Sequence, residues 1–233
     1  MQTARYSEGH LSVWRGADVL TFIDGLSTNR VHDLRKGECK QTTFTTTTAK
    51  VIDRVALFHM GEFVACVSHA PFWQALHAHV SPRILGQDVS IFDATANNEF
   101  YIRFGHEQAN LGLHSAENGV TVGHLESGYD LIVATAGKHV ESVENLESFH
   151  TWRIKKCVPW AGYEITSKHH ALACGLSEDI HPSKGCYIGQ EVLTRMISRK
   201  KQGRTLSIVA NDDVQPSEIT TKGESHSLAI IRV

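Results

Sequence analysis

The segment with the clearest chemical potential is Lys184-Gly185-Cys186-Tyr187-Ile188-Gly189-Gln190-Glu191, in which a thiol lies just before a predicted helix. Apolar residues follow at helical spacing, at positions 192, 193, 196 and 197. A cysteine there would meet the positive end of the helix and the ammonium of Lys184, and both favour the thiolate. The residues alone predict either a reactive cysteine or a small buried one.

Other residues with metal-binding or anion-binding chemistry give weaker signals. Cys174, His181 and Cys186 are of types that bind zinc, but their spacings match no usual zinc pattern, so no metal site is predicted. A basic cluster follows the motif, at Arg195, Arg199, Lys200, Lys201 and Arg204. Such a cluster serves either as a solvated face or as a surface for an anion.

Composition excludes several classes of function. The 233-residue chain carries a formal net charge of −2, so no global field would hold nucleic acid, and we expect no direct nucleic-acid partner. Its five cysteines form no CxxC pair, which favours reduced thiols and a cytoplasmic location. The first residues lack the apolar stretch of a signal peptide, and no apolar run is long enough for a membrane span.

The elements that would position the motif mix short strands with few helices. Residues 16–26 and 71–80 have helical spacing of apolar residues, and a third helix is predicted from about His139 to Ile154, with Val143 on its apolar face. Strand patterns cover residues 11–14, 41–48, 51–58, 62–68, 89–92, 99–104, 120–122, 129–134, 206–210 and 228–233. Residues 59–61 suit a hairpin turn. Without regular alternation of long strands and helices, this pattern predicts an α+β fold.

The motif also carries a family resemblance. Residues 184–191 match all eight positions of the K-G-C-[FY]-x-G-Q-E signature of the YgfZ family, relatives of the glycine-cleavage aminomethyltransferases. Residues 20–31 resemble that family's F-L-x-G-L-x-T-N-D-V region, and Arg153-Ile154 with Val158-Pro159 resembles its R-I-E-A-G-I-P step. The three segments occur in the family's order, and the resemblance spans residues 10 to 210.

The resemblance implies an aminomethyltransferase-like fold with two α+β domains and a truncated C-terminal β module. Residues 1–45 and 150–203 would form the first, discontinuous domain, which carries the motif. Residues 46–149 would form the inserted domain, and 204–233 the abbreviated β module. A folate channel would lie near the centre of this arrangement.

The resemblance further implies function and site residues. It points to a folate-binding protein that supports assembly or repair of iron–sulfur enzymes, and indirectly tRNA thiomodification. Its partners would be iron–sulfur enzymes or cluster-assembly proteins. Cys186 would be the catalytic residue, with Lys184 beside it. Tetrahydrofolate or a derivative would be the cofactor, bound by the set Tyr187, Gln190, Glu191, Asn29, Asp53 and Arg195, and the basic cluster would meet the folate glutamate tail or an acidic partner.

Two departures from the family pattern keep alternatives open. Ala173 stands where the folate-binding relatives place a carboxylate for the pterin, and Arg54 stands beside Asp53 where the aminomethyltransferases carry a second acid. A folate-dependent aminomethyl or one-carbon transferase would need an acid such as Asp53 near the ligand. A protein that has lost folate would keep only a docking role for iron–sulfur clients.

Overall fold

Antiparallel sheets dominate the protein, whose computed structural model describes residues 1–141 and 145–233. The strands are β1 (Gln2–Arg5), β2 (Gly9–Arg15), β3 (Cys39–Thr45), β4 (Val51–His59), β5 (Val64–His69), β6 (Ser90–Asp93), β7 (Asn98–Phe104), β8 (His114–Glu117), β9 (Val120–Leu125), β10 (Tyr129–Thr135), β11 (Arg204–Ala210), β12 (Ile219–Thr221) and β13 (His226–Arg232). The helices are α1 (Val19–Leu26), α2 (Ala70–Val80), α3 (Leu146–Lys156) and α4 (Gln190–Arg199).

Two five-stranded sheets form the body of the molecule. The first sheet has the order β3-β4-β5-β2-β6, and the second has the order β1-β7-β10-β9-β8. The predicted hairpin joins β4 to β5, where the Met60 N–H donates to the Phe63 carbonyl at 2.9 Å. Gly61 has a φ of +103°, which a side chain would strain. The chain therefore turns where the sequence predicts.

The core lies on both faces of the first sheet, as the alternation along β4 requires. Ala56 and Phe58 face the second sheet, in a cluster that includes the aromatic rings of Tyr129, Phe149 and Trp160. Val55 and Leu57 face the opposite way, against the apolar residues of α1 and α2. Because β4 is covered on both faces, its side chains point either between the sheets or towards the helices.

The last three strands form a sheet of order β11-β13-β12, and a network around a buried ion pair connects this sheet to α3. Arg153 Nη1 lies 2.6 Å from Glu164 Oε2, and both side chains are fully buried. The other Glu164 oxygen accepts hydrogen bonds from the hydroxyls of Thr220 and Thr221, each at 2.6 Å. A buried charge is stable only when it is paired and hydrogen-bonded, and this pair meets both conditions.

The predicted segments can be set beside these elements. The boundary expected at residue 46 falls between β3 and β4, which pair with each other along their length, so the first sheet gathers residues 9–93 with α1 and α2. The helix expected from about His139 begins at Leu146, where Asn145 Oδ1 accepts the N–H of Ser148. Val143, expected on its apolar face, lies outside the described residues.

Candidate functional site

Lys184 anchors the loop that carries Cys186. Its Nζ donates to the backbone carbonyls of Asp24, Ser27 and Asn29 at 2.6 to 2.7 Å, and lies 3.4 Å from Asp24 Oδ2. The side chain is fully buried. Burial lowers the pKa of Lys184, and the charge of Asp24 offsets this only in part. The ammonium expected to act on Cys186 is therefore turned into the protein, where it ties the loop to the end of α1.

Three further contacts fix the same loop. Tyr187 is buried in the cluster formed with Val51 and Leu193. The hydroxyl of Thr45 donates to the Ile188 carbonyl at 2.6 Å. The amide of Gln190 donates to the Gly185 carbonyl at 3.4 Å, and closes the loop on itself. These side chains hold backbone, so the structure gives Tyr187 and Gln190 structural roles rather than cavity-lining ones.

The two motif glycines differ in what requires them. Gly189 precedes α4 with a φ of +87°, and a Cβ there would lie 2.6 Å from the Thr45 hydroxyl oxygen. No other residue fits that turn without displacing its neighbours. At Gly185, a Cβ would meet no atom within 4 Å, and its φ lies outside the left-handed region. The fold itself therefore demands glycine at 189 and not at 185.

Cys186 is the exposed cysteine of the protein. Cys39, Cys66 and Cys174 are buried, and Cys157 is half-buried. Burial raises the pKa of Cys39 and of Cys174 to about 12, which keeps those two thiols protonated. A reagent or partner in solution can thus reach the Cys186 thiol without opening the fold. The structure excludes the buried alternative for Cys186, and its reactivity stays a prediction.

Asn29, Glu191 and Arg195, which belong to the predicted folate set, lie in two separate places. Asn29 is buried beside the Lys184 anchor, where its Nδ2 donates to the Gln41 carbonyl and its Oδ1 accepts the Arg30 N–H. Glu191 and Arg195 are exposed on α4 and pair with each other at 2.6 Å. Neither group lines the central cavity described next, so the structure does not bring the set together around one ligand.

The central cavity lies between the two large sheets and has an inner and an outer part. The inner part has a volume of about 40 Å³, enough for one or two waters. The outer part has a volume of about 440 Å³. Both parts share Gln41, Arg54 and Pro159 in their walls. The inner wall adds Tyr6, His69, Tyr129 and Trp160, and the outer wall adds Glu126, Ser127, Cys157, Glu178 and Asp179.

Most polar side chains of the cavity bind one another. Arg54 pairs with Asp179 through two hydrogen bonds, at 2.7 and 2.9 Å, and donates to the Ser127 hydroxyl at 2.8 Å. Ser127 in turn donates to Gln41, whose amide donates to the Tyr129 hydroxyl at 3.0 Å. One donor stands apart: Trp160 Nε1 is buried with no hydrogen-bond partner among the described residues. A ligand acceptor placed there would satisfy it.

Asp53 and Arg54 occupy opposite faces of β4. Arg54 points between the sheets and lines the cavity, whereas the Asp53 carboxylate is fully buried, and its Oδ2 accepts the His69 N–H at the start of α2. Burial raises the pKa of Asp53 well above its usual range, and the backbone N–H groups that it accepts offset this only in part. The structure thus puts a guanidinium, and not the predicted acid, at the cavity wall.

Ala173 also lies outside the cavity. It is fully buried in the cluster that joins α3 to the last sheet, against Ile154, Leu206 and Leu228. A carboxylate at this position would enter an apolar core, so its absence says little about what the cavity holds. The carboxylates on the cavity wall come instead from Asp179, which is paired with Arg54, and from Glu126 and Glu178, which are exposed at the outer part.

Sequence reasoning missed most of the cavity wall. Gln41, Tyr129 and Trp160 belong to segments that read as ordinary strands or turns, and nothing in their spacing marks them. Arg54 gave the one usable signal, because a charged residue in an otherwise apolar strand requires a partner. Its partner, Asp179, is 125 residues away along the chain. Because of that separation, the sequence alone does not reveal the pair.

Comparison with known proteins settles the architecture. The structure is similar to the crystal structure of the glycine cleavage system aminomethyltransferase T from Bartonella henselae, with a TM-score of 0.79 over 99% of this chain and 78% of that chain. The chain has the aminomethyltransferase fold. The predicted α+β class is confirmed with it. Sequence identity over the match is 12%, so the likeness concerns the fold alone.

The sequence itself matches no family model and no curated protein. Within the part of the chain that the structure describes, no helix is long and apolar enough to cross a membrane.

Proposed function

We propose that this protein is a YgfZ-type folate-pocket protein that supports assembly or repair of iron–sulfur enzymes, and through them tRNA thiomodification. Cys186 is the group through which it acts, and iron–sulfur enzymes or cluster-assembly proteins are its partners in the cytoplasm. Three things support the proposal: the complete eight-residue motif, the aminomethyltransferase fold, and the geometry of the motif loop. The loop geometry carries the most weight.

The observation that carries the proposal is an exposed thiol on a loop whose other side chains are tied down. Lys184 and Tyr187 are buried, Gly189 is fixed by its turn, and Cys186 is presented to solvent. A buried structural cysteine would not need such a support. An exposed thiol held in one place suits the chemistry of thiolates, which bind soft metals or attack electrophilic sulfur and carbon.

The cavity supports the folate part of the proposal. Its outer volume of about 440 Å³ falls within the range of small-molecule sites, about 300 to 1,000 Å³. Trp160, whose indole N–H has no partner among the described residues, lies in the wall of the inner part, so that N–H would reach the carbonyl of a pterin in the outer part through a bridging water. Glu126 and Glu178 offer carboxylates to the amino edge of the pterin, an interaction that Ala173 cannot make. The residues present therefore fit a pterin, which would supply one-carbon chemistry when bound.

One rival function loses support and one gains it. A one-carbon transferase needs an acid near the reacting folate nitrogen. The predicted acid Asp53 lies on the far face of β4, Asp179 is paired with Arg54, and Glu126 and Glu178 are assigned to the amino edge of the pterin. A folate-independent docking protein is favoured by the same self-paired lining, because side chains that already bind one another have little left for a ligand.

Complementation of a deletion strain tests the thiol. We expect Cys186→Ala to lose restoration of iron–sulfur enzyme activity, because no other exposed cysteine is available in the described structure. Ser183→Ala, an exposed change in the same loop, is the matched control and should restore activity as the wild type does. Equal restoration by Cys186→Ala would refute the proposal.

Calorimetric titration with tetrahydrofolate and its 5-formyl form tests the cavity. We expect micromolar binding that Trp160→Phe weakens by about three- to tenfold, since this change removes one hydrogen bond and keeps an aromatic ring. Trp73→Phe, on α2 and outside the cavity wall, is the control. No detectable heat for the wild type would select the folate-independent docking protein.

A further inference from the structure

A surface outside the cavity gathers positive charge from three separate segments. We call it the cationic patch, and it consists of Lys50, Lys168, His169, His170, Lys200, Lys201 and Arg204. Sequence reasoning found only the last segment, because the others lie 30 to 150 residues earlier in the chain. The patch is therefore a product of the fold.

Backbone and side-chain hydrogen bonds hold the three segments together. Lys50 Nζ donates to the Lys168 carbonyl, and residues 50 and 170 form an isolated β-bridge. His170 Nε2 lies 3.0 Å from the carbonyl oxygen of Gln202, in the turn that carries Lys200, Lys201 and Arg204. The start of β4, the turn at 168–170 and the turn after α4 thus share one surface.

The positive charges of the patch have no acidic partners within the described structure. Its five lysine and arginine side chains form no ion pair with a described carboxylate. Burial and the charges of Lys50, Arg204, His170 and Lys168 together lower the pKa of His169. Like charges that repel one another in the free protein would be relieved by an anionic partner.

The exposed face of α4 connects the patch to Cys186. Cys186 lies before the first turn of α4 and Lys200 lies directly after its last turn. The ten residues of α4 span about 15 Å, so both ends of the helix fall within one protein–protein interface. Between them Ile197 is 52% exposed, and its carbonyl accepts the Lys200 N–H. An apolar anchor beside a charged patch is the composition of a docking surface.

We infer that the cationic patch and the exposed face of α4 dock an acidic protein surface, which brings a partner's reactive group to Cys186. The patch supplies orientation and association rate, and Ile197 supplies apolar contact. The reference to Cys186 rests on the proposed function, whereas the docking of an acidic protein does not.

Two features favour a protein over a nucleic acid as the occupant. The patch contains no phenylalanine, tyrosine or tryptophan on which bases would stack. The exposed Ile197 has no use against a phosphate backbone, but it fits the apolar centre of a protein interface.

Binding of poly-L-glutamate, measured by fluorescence anisotropy, tests the inference, with double-stranded RNA of equal charge as the second probe. We expect wild type to bind poly-L-glutamate with salt-sensitive affinity and more tightly than the RNA. Reversal of charge in the triple variant Lys50→Glu, Lys168→Glu, Lys201→Glu should weaken binding at least about tenfold. The neutral triple variant Lys50→Gln, Lys168→Gln, Lys201→Gln should fall between, and thermal unfolding of both verifies that they are folded.

The matched control is Lys36→Glu, Lys138→Glu, Lys222→Glu, which makes the same charge change on other exposed lysines and should alter affinity by less than about twofold. Equal loss in the control, tighter binding of the RNA, or no binding of poly-L-glutamate would each overturn the inference. Bound poly-L-glutamate should also slow alkylation of Cys186, and an unchanged rate would refute the link to the thiol. Cys186→Ala should bind the probe as wild type does, so failure of the thiol function and failure of docking are distinguishable.

Discussion

The motif loop and the central cavity are built in opposite ways. In the loop, Lys184 and Tyr187 face inward and the thiol of Cys186 is exposed to solvent. In the cavity, the polar groups face one another, as Arg54 does with Asp179, and Trp160 Nε1 is left without a partner. A side chain of a chemically reactive type is available to a ligand or partner only if other groups of the protein do not already bind it. By that measure the loop is open for chemistry and the cavity is largely self-satisfied.

The largest effect on the motif loop is expected from removal of its anchor, Lys184. Lys184→Met leaves three carbonyls and the Asp24 carboxylate without their cation, in a site that is closed to water. We expect the free energy of unfolding, measured with urea, to fall by about 3 kcal/mol. Lys36→Met, at an exposed lysine, should change it by less than about 0.5 kcal/mol. Similar values for the two variants would show that Lys184 is free for chemistry after all.

The two motif glycines test how tightly the fold constrains the motif loop. Gly189→Ala puts a side chain at a φ of +87° and against Thr45, and should cost about 2 kcal/mol in urea unfolding. Gly185→Ala enters open space and should cost less than about 0.5 kcal/mol. If Gly185→Ala is stable but fails in complementation, the backbone at 185 is approached by a partner. A large loss of stability at 185 would contradict the described loop.

Asp53 tests the assignment of faces on β4. The free carboxyl ionises near pH 4, and burial raises the pKa of Asp53 in the folded protein. Above about pH 4 the folded state therefore holds a proton that the unfolded state has released, and stability falls as the pH rises towards the folded pKa. Asp53→Asn replaces the titrating carboxyl with a neutral amide. We expect the free energy of unfolding to rise by about 1 kcal/mol near pH 7, and this gain to vanish near pH 4.

Urea unfolding at several pH values measures the difference, and Asp212→Asn, at an exposed aspartate, is its control. A loss of stability in Asp53→Asn near neutral pH, together with weaker folate binding, would place the ionised carboxylate in the ligand site.

Much of the fold could be predicted from periodicity. The strand patterns at 51–58 and 62–68 and their hairpin correspond to β4 and β5, and the apolar spacing after Gly189 corresponds to α4. The three missed strands are short: β1 and β8 form the two edges of the second sheet and have four residues each, and β12 forms an edge of the last sheet and has three residues. Edge strands are stabilised by a neighbour far along the chain, and local pattern cannot reveal that neighbour.

The candidate site was predictable only in part, because the identity of a residue does not fix the direction in which its side chain points. The sequence indicates that Cys186 is chemically interesting, and the structure shows it exposed. It also suggests that Lys184 acts on the thiol, but Asp24, 160 residues away, holds that ammonium inside the protein. Alternation along β4 shows that Asp53 and Arg54 point apart, yet only the packed sheets decide which of them meets the cavity.

The segment of residues 27–29 is held from both sides, and this has a consequence for how the two regions act together. Asp179, the partner of Arg54 in the cavity, accepts the Thr28 hydroxyl on its backbone carbonyl at 2.7 Å. Lys184 holds the carbonyls of Ser27 and Asn29 next to it. A cavity ligand that draws Arg54 from Asp179 and a partner that moves the thiol loop therefore pull on the same few residues. Thermodynamic linkage is reciprocal: the factor by which any cavity ligand changes the affinity of a partner at the loop must equal the factor by which that partner changes the affinity for the ligand.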